Sequence, residues 1–198
     1  MAKRVFDLLL ASIGLVLMSP VLLAIAVWIK LDSAGPVFFR QERVGRFGVP
    51  FRIHKFRTMV SDAPARGPQL TVGADSRITR AGAVLRRLKL DELPQLIDVF
   101  QGVMSFVGPR PEVPRYVALY PPALRDQVLA VRPGITDPAS IMFRDEALLL
   151  ARAADPEREY TEVILPQKLA HAAHYAQTST LATDLAVLLR TLRAVWGR

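Results

Sequence analysis

The chain has 198 residues, 51% of them hydrophobic, and a formal net charge of +8. This hydrophobic share is high for a soluble domain but too low for a protein with many membrane spans. The basic excess favours anionic partners such as lipid headgroups, nucleotide phosphates or nucleic acid. Cysteine is absent, which excludes disulfides, thiolate metal sites and a cysteine nucleophile.

The first predicted element is a long apolar helix. Residues 8–29 contain no charged side chain. At a rise of about 1.5 Å per residue this segment is roughly 33 Å long, enough to cross the hydrocarbon core of a bilayer. It is longer than the apolar region of a signal peptide and runs on to Lys30, which argues against cleavage.

Two features favour a re-entrant hairpin over a simple span. Proline removes a helical hydrogen bond, so we expect a break at Ser19-Pro20, with the Ser19 hydroxyl bonding a freed carbonyl. Basic residues flank both ends, Lys3 and Arg4 before the segment and Lys30 after it, and positive charge prefers the cytoplasmic side. The residues alone also allow a kinked helix that spans the bilayer.

A β-hairpin is predicted next. Residues 35–59 are rich in Val, Phe and Ile and are interrupted by GRFG at 45–48, a pattern typical of two short strands around a glycine-bearing turn. Its basic side chains form either a solvated face or a patch that meets headgroups or an anionic substrate.

The sequence LDELPQL at 90–96 places two adjacent carboxylates, Asp91 and Glu92, before a predicted helix. Apolar residues from 93 to 100 follow helical spacing, and Gly102 fits the end of the helix. Asp91 fits the N-cap and Glu92 the first turn, so a purely structural role is one interpretation of the pair.

The same geometry also suits chemistry. A helix N-terminus attracts anions, and arginines at 86 and 87 would hold a phosphate beside Asp91. An ionised carboxylate can attack phosphorus and form an acyl phosphate. Two adjacent acids can also hold Mg²⁺, which usually takes one or two carboxylates together with substrate phosphate oxygens.

A second arginine stands in a stiff backbone. GPRPE at 108–112 places Arg110 between Pro109 and Pro111, whose fixed φ angles restrict the chain on both sides. Arginine suits bidentate contact with phosphate. The stretch is therefore either a rigid phosphate contact or a proline-rich connector with an incidental arginine.

The C-terminal residues 181–198 predict an amphipathic helix, with Arg190, Arg193 and Arg198 off its apolar face. Such a helix lies in a membrane interface or packs on the core. The apolar face comprises Leu181, Leu185, Leu188, Leu189, Leu192 and Trp196.

Taken in order, the apolar N-terminus with Ser-Pro, KFRTM (55–59), LDELPQL, MSFVGPRPE (104–112) and PGIT (133–136) resemble the bacterial sugar transferases, the monotopic phosphoglycosyl transferases. The resemblance runs from about residue 3 to about residue 146 and is weaker beyond. The chain looks like the small form that consists of the catalytic domain only.

With the predicted elements, the resemblance implies a mainly α fold with a small β-hairpin element and amphipathic interfacial helices. Residues 1–32 would form a re-entrant helix broken at Ser19 and Pro20 that anchors the protein in the membrane. Residues 33–198 would form a catalytic domain on the cytoplasmic face of the bacterial inner membrane. The expected localisation is monotopic.

The resemblance also implies the reaction. A phosphosugar would move from a UDP-sugar to a polyprenol phosphate with release of UMP, through a covalent intermediate on Asp91. Glu92 would be its partner, and Mg²⁺ the metal, held at Asp91. The reaction would be the first membrane step of surface glycan assembly. The expected contacts to substrate phosphates are Arg86, Arg110, Pro111, Arg144, Lys55 and Arg57.

Three departures from the family pattern stand out. Val103 replaces an acid, and Lys89 stands where serine or threonine is common. DPASIMFR (137–144) replaces the usual GxAQVxGR. The first two leave the nucleophile intact, whereas the third bears on sugar or acceptor specificity and on the role of Arg144.

Two other functions fit the residues at this point. One is a non-catalytic, membrane-anchored basic module, which would bind anions in a strongly salt-dependent way. The other is direct phosphoryl transfer in a ternary complex without a covalent enzyme. Aromatic side chains are sparse in the basic stretches, which argues against a nucleic-acid partner. The sugar, the glycan pathway and the oligomeric state stay open.

Overall fold

The computed structural model describes residues 1–67, 70–73 and 75–196. The side chain of Trp196 and all of Arg198, assigned above to the C-terminal helix, lie outside the described part. The α-helices are α1 (Ala2–Asp32), α2 (Ala63–Arg66), α3 (Arg80–Arg87), α4 (Gln95–Gln101), α5 (Pro114–Val117), α6 (Pro122–Leu129), α7 (Pro138–Met142), α8 (Glu146–Leu150), α9 (Pro156–Glu159), α10 (Leu165–Thr178) and α11 (Leu181–Trp196). The strands are β1 (Phe38–Val44), β2 (Pro50–Phe56), β3 (Ser105–Val107) and β4 (Gly134–Thr136). The prediction of a mostly helical protein with a small hairpin is confirmed.

The predicted hairpin is formed by β1 and β2, which pair antiparallel from Phe38 and Phe56 to Val44 and Pro50. A second sheet, which the sequence did not predict, pairs β3 and β4 in parallel. Each of these strands has only three residues, too few to establish an alternating pattern. The PGIT segment (133–136) therefore contains the strand β4.

The helix α1 runs without interruption from Ala2 to Asp32 through Pro20, so the expected break at Ser19-Pro20 is absent from its secondary structure. The Ser19 hydroxyl donates to the Val16 carbonyl at 2.8 Å. That carbonyl lies four residues before Pro20 and is the acceptor that the missing N–H would have bonded. The predicted compensation by Ser19 is confirmed, and it helps the helix to continue.

Both ends of α1 pack on the body of the protein. Near the start, Ala11 belongs to a buried cluster with Val99, and near the end Ile29 belongs to one with Leu85. Residues 16–21 between them are exposed on every side. Within the described residues, α1 is the helix that is long and apolar enough to cross a membrane by length and composition.

Polar contacts fasten the N-terminal end of α1. Lys3 forms an ion pair with the buried Asp184 of α11 and donates to the Val107 carbonyl at 3.0 Å. Arg4 donates to the Val99 carbonyl at 2.6 Å, at the C-terminal end of α4. The start of the apolar helix is therefore bonded to the segment that ends β3 and to α4.

The helix α11 leaves most of its predicted apolar face exposed, which agrees with the interfacial alternative rather than with packing on the core. Asp184 and Val187 are buried, and Leu188 is partly buried against the same cluster. The remaining leucines of the predicted apolar face are between 38% and 57% exposed, so the core is packed by an adjacent side of the helix that shares Leu188 with this face. These exposed residues are Leu181, Leu185, Leu189 and Leu192.

Candidate active site

Asp91 and Glu92 lie in a 3₁₀ turn, Leu90–Glu92, between α3 and α4. Lys89 before them adopts a left-handed backbone conformation with φ 57°, which ends α3 and reverses the chain. The prediction that Asp91 caps α4 is wrong, because the helix begins at Gln95 and Asp91 makes no capping hydrogen bond. The predicted stop at Gly102 is confirmed by its φ of 85°.

Glu92 is held by two cations from distant parts of the chain. Its Oε1 accepts a 2.8 Å hydrogen bond from Lys55 Nζ on β2. Its two oxygens also accept from Arg110, with Nη1 to Oε2 at 3.1 Å and Nη2 to Oε1. Burial alone would raise the pKa of Glu92, but the charges and hydrogen bonds of Arg110 and Lys55 hold this pKa well below its usual range. Glu92 is therefore a fixed anion.

Asp91 has the opposite environment. Only 8% of the residue is exposed, and its carboxylate has no hydrogen-bond partner among the described residues. Burial raises the pKa of Asp91; the charge of Lys55 opposes this and that of Glu92 adds to it. Two neighbouring carboxylates whose pKa values are pushed apart are typical of a reactive site. Asp91 is the poorly solvated, available member of the pair.

Arg86 of α3 provides a further cation beside Asp91 and lowers its pKa. Its Nε donates to Thr58 Oγ1 at 2.8 Å, and its Nη1 to Thr71 Oγ1 at 3.3 Å. A Cβ on Gly82 would lie 2.0 Å from the Thr58 carbonyl, so glycine lets α3 approach the end of β2. Sequence reasoning missed Thr58 as a support for Arg86, although it lies within KFRTM.

Arg110 follows β3 and is oriented by β4 and the residue after it. Its Nη1 donates to the Ile135 carbonyl at 3.1 Å, and its backbone N–H to Asp137 Oδ2 at 3.2 Å. A Cβ on Gly134 would lie 2.1 Å from the Gly108 nitrogen, so these glycines allow the two segments to meet. Asp137, the first residue of the DPASIMFR segment that departs from the family pattern, thus helps to position Arg110.

Pro111 and Arg43 form a contact that sequence reasoning missed. Arg43 Nη1 on β1 donates to the Pro111 carbonyl at 2.9 Å, and the guanidinium lies 3.6 Å from Glu112. Glu112 also accepts a 2.5 Å hydrogen bond from the Tyr160 hydroxyl. Burial lowers the pKa of Arg43. The two partners are 68 positions apart, and no local pattern in β1 indicated the contact.

Arg57 lies away from the acid pair, at the C-terminal end of α1, and is only 4% exposed. Its Nε, Nη1 and Nη2 all donate to protein oxygens, so the guanidinium fastens α1 to the end of β2. Its predicted contact with substrate phosphate stays a prediction. The acceptors are the carbonyls of Ile29, Ser33, Ala34 and Pro36 and the Ser33 hydroxyl.

We expect Arg57→Met to lower the free energy of unfolding by about 2–4 kcal/mol, because buried carbonyls lose their donors. The KM for the donor substrate should stay unchanged. Thermal unfolding in detergent and initial rates test this, with Arg52→Met at an exposed position of β2 as control. Unchanged stability together with a raised KM would instead assign Arg57 to the substrate.

Arg144 is exposed, and its contacts are with the C-terminal helix. Its Nη1 donates to the Ala194 carbonyl of α11 at 2.8 Å, and its Nε pairs with Asp145 at 3.2 Å. The structure does not join it to the acid pair. The predicted residues that it does bring together are Lys55, Arg86, Asp91, Glu92 and Arg110, with Pro111 next to the last.

The described residues contain no group of three or more His, Asp or Glu side chains able to hold a metal ion. Both oxygens of Glu92 are occupied by cations, which leaves Asp91 as the free carboxylate at the site. A metal with a single protein carboxylate and several substrate or water oxygens fits this donor set, and Mg²⁺ is often bound in that way.

The buried Asp91 and its neighbour Glu92 lie among Lys55, Arg86 and Arg110, on a domain packed against an apolar helix of membrane length. This arrangement suits an anionic substrate. The family model described as "Bacterial sugar transferase" matches residues 1–198, and the chain belongs to this family.

Several curated proteins are similar over most of the chain. A UDP-N-acetylgalactosamine-undecaprenyl-phosphate N-acetylgalactosaminephosphotransferase of Aeromonas hydrophila is 38% identical over 195 residues, which is 98% of this chain and 43% of the relative. A UDP-glucose:undecaprenyl-phosphate glucose-1-phosphate transferase of Caulobacter vibrioides is 37% identical, over 96% of this chain and 68% of the relative. The exopolysaccharide production protein ExoY of Rhizobium meliloti is 35% identical, over 98% and 85%. The chain thus spans less than half of the first relative.

Proposed function

We propose that the protein moves a sugar phosphate from a UDP-sugar to undecaprenyl phosphate or a similar polyprenol phosphate, releases UMP, and forms a covalent intermediate on Asp91. The observation that carries the proposal is the difference in environment between the two carboxylates of the acid pair. Glu92 is neutralised by Lys55 and Arg110. Asp91 is buried beside them, and its carboxylate has no hydrogen-bond partner in the part of the chain that the structure describes. The names of the relatives, which include a UDP-sugar and undecaprenyl phosphate, support the donor and acceptor classes.

In the first step the Asp91 carboxylate attacks the phosphorus atom that bears the sugar. A new bond forms between the carboxylate oxygen and phosphorus, and the bond from phosphorus to the bridging oxygen breaks, so that UMP leaves with its electron pair. Arg86, Lys55 and Arg110 place positive charge around the phosphates and stabilise the charge that develops on the transferred group. The small exposure of Asp91 limits attack by water on the acyl phosphate.

In the second step an oxygen of the polyprenol phosphate attacks the same phosphorus. The bond between phosphorus and Asp91 breaks, and the carboxylate is regenerated as the product pyrophosphate forms. Because the acceptor oxygen is already ionised at neutral pH, the second step requires no general base. This two-step scheme predicts ping-pong kinetics, whereas direct transfer in a ternary complex predicts sequential kinetics.

Mg²⁺ belongs to the proposal as a partner of Asp91 and of the substrate oxygens. When bound, it would neutralise phosphate charge. Glu92 is a poor ligand for it, because releasing an oxygen would leave Lys55 or Arg110 without its partner.

We further propose that α1 bends at Pro20 without losing its helical conformation, so that it enters one leaflet and returns, with the catalytic domain on the cytoplasmic face. Lys3 bonds the start of α1 to β3 and α11, and Arg57 bonds its end to β2. Because both ends are fastened to one body, a helix that carries its two ends to opposite sides of the bilayer would have to break one of these sets of contacts. The exposed segment 16–21 is then the part that reaches deepest into the lipid.

Single-cysteine variants test this topology without background, since the chain has no cysteine. Ala2→Cys and Asp62→Cys both stand at exposed positions, on either side of the apolar segment. We expect a membrane-impermeant maleimide to label both in inside-out vesicles and neither in right-side-out vesicles. Opposite labelling of the two positions would establish a span. Labelling after detergent treatment is the control for reactivity.

UMP release tests the reaction. Purified protein would be incubated with undecaprenyl phosphate, Mg²⁺ and a panel that begins with UDP-N-acetylgalactosamine and UDP-glucose, the donors named for the relatives. Acceptor-dependent UMP from one donor, absent in Asp91→Asn, is the expected result. Salt-sensitive binding of anionic vesicles without UMP from any donor would instead support the basic binding module.

A further inference from the structure

The side chain of Gln95 is completely buried, yet neither its Oε1 nor its Nε2 has a hydrogen-bond partner among the described residues. A buried carboxamide without partners lowers stability, and an apolar residue of the same size would avoid that loss. The two catalytic steps above assign Gln95 no role. Its presence at this position therefore requires an explanation.

Gln95 lies between two polar contacts that join its own segment to β2. On one side, Asp98 Oδ1 lies 2.7 Å from His54 Nδ1. On the other, Glu92 accepts from Lys55 at 2.8 Å. Gln95 therefore lies, along the chain, between two residues that are paired with β2.

Asp91, Gln95 and Asp98 are buried polar residues of one short segment. Leu93 and Pro94, which join the 3₁₀ turn to α4, have right-handed helical angles, and the N–H groups of Leu93, Leu96 and Ile97 each bond the carbonyl three residues back. The chain therefore keeps turning tightly between Asp91 and Gln95, which places the two residues about one turn apart. Asp98 is paired with His54, whereas the carboxamide of Gln95 and the carboxylate of Asp91, four residues before it, have no hydrogen-bond partner among the described residues.

We propose that Gln95 is a positioning residue for Asp91, and that its amide N–H donates to the carboxylate oxygen that does not attack phosphorus. The inference rests on the proposed function. During the first step the attacking oxygen of Asp91 bonds to phosphorus, and the non-attacking oxygen becomes the carbonyl oxygen of the acyl phosphate. During the second step negative charge returns to the carboxylate. A donor on the non-attacking oxygen holds one orientation through both steps, and such bonds tighten when substrate is bound.

Gln95→Met tests the proposal, because methionine has a similar length and no amide. We expect kcat to fall about 100-fold, the lower end of the loss caused by removing one preorganised donor at a reacting group. The KM for the UDP-sugar that supports turnover should stay within about two-fold, since Gln95 does not contact the ground-state substrate. The Tm should be unchanged or higher, because a buried polar group without partners has been removed.

Gln127→Met is the matched control. Its carboxamide donates to the Ala173 carbonyl at 3.1 Å, far along the chain from Asp91, so this variant should lose stability and keep kcat. Unaltered kcat in Gln95→Met would overturn the proposal, as would a fall in kcat no larger than the fall in folded fraction. Asp91→Asn in the same assay distinguishes failure of the proposed function from failure of the inference about Gln95. If that variant stays active, the proposed function itself fails; if it is inactive while Gln95→Met is fully active, only the present inference fails.

Discussion

Replacing Asp91 by asparagine should reduce turnover by at least about 1,000-fold, because an amide cannot replace a carboxylate as nucleophile. The same variant should be more stable than the unaltered protein. Asp91 is a buried acid whose largest environmental effect is burial, which raises its pKa. Removing the charge relieves that effect, and we expect a gain of about 1 kcal/mol, or roughly 2–4 °C in Tm.

The pH dependence of this gain has a definite sign. A carboxyl whose pKa is raised in the folded state destabilises the fold at pH values above that pKa, where it is ionised. As the pH falls through the raised pKa, the unaltered protein becomes neutral at Asp91, and the two proteins should converge. Thermal unfolding from pH 7.5 downward measures this. Asp126→Asn makes the same chemical change at an exposed position and should show no such gain; a destabilised Asp91→Asn would favour the structural interpretation of Asp91.

Replacing the neighbouring Glu92 by glutamine should have the opposite effect on stability. Lys55 and Arg110 would lose the charge that they share, and breaking a buried pair from one side costs about 3–5 kcal/mol. Because the Arg110 side chain is 31% exposed, we expect a value near 3 kcal/mol, or a fall of roughly 10 °C in Tm. Turnover should also fall, since the cations beside Asp91 are no longer held in place.

The stability of Glu92→Gln at acid pH distinguishes loss of the ion pairs from a general loss of packing. The pKa of Glu92 is depressed in the folded state by Arg110 and Lys55. Its contribution is therefore complete at pH values above the ordinary carboxyl pKa of about 4.3 and is lost as the pH falls through the folded-state value. The stability difference between the two proteins should be constant from pH 8 to pH 5 and narrow below that. A difference that persists unchanged at the lowest accessible pH would contradict the ion-pair account.

The sequence predicted those parts of the fold that depend on local pattern. The hairpin followed from apolar strands around glycines, and the end of α4 from Gly102. The strands β3 and β4 were missed because three residues carry too little pattern, and they are stabilised by contact between distant segments. The register of the turn before α4 was also wrong, because Lys89 adopts a backbone conformation that is unusual for a residue with a side chain.

The candidate site was predicted in composition but not in arrangement. The motifs named Asp91 and Glu92 together, yet only the folded chain distinguishes the fixed anion from the available one. That distinction depends on Lys55, 37 positions before Glu92, and on Arg110, 18 positions after it. The contacts of Arg57 and Arg144 could not be predicted from the sequence either. An arginine that donates to backbone carbonyls cannot be distinguished in the sequence from one that binds phosphate.

The most direct test of the account is to look for the phosphosugar on Asp91. Protein incubated with the donor UDP-sugar and Mg²⁺, but without undecaprenyl phosphate, would be digested at low pH and analysed by mass spectrometry. We expect a burst of UMP stoichiometric with enzyme, and the mass of one sugar phosphate on the peptide that contains Asp91. Undecaprenyl phosphate should then remove this mass. UMP that appears only when both substrates are present, with no modified peptide, would contradict the covalent mechanism and establish direct transfer.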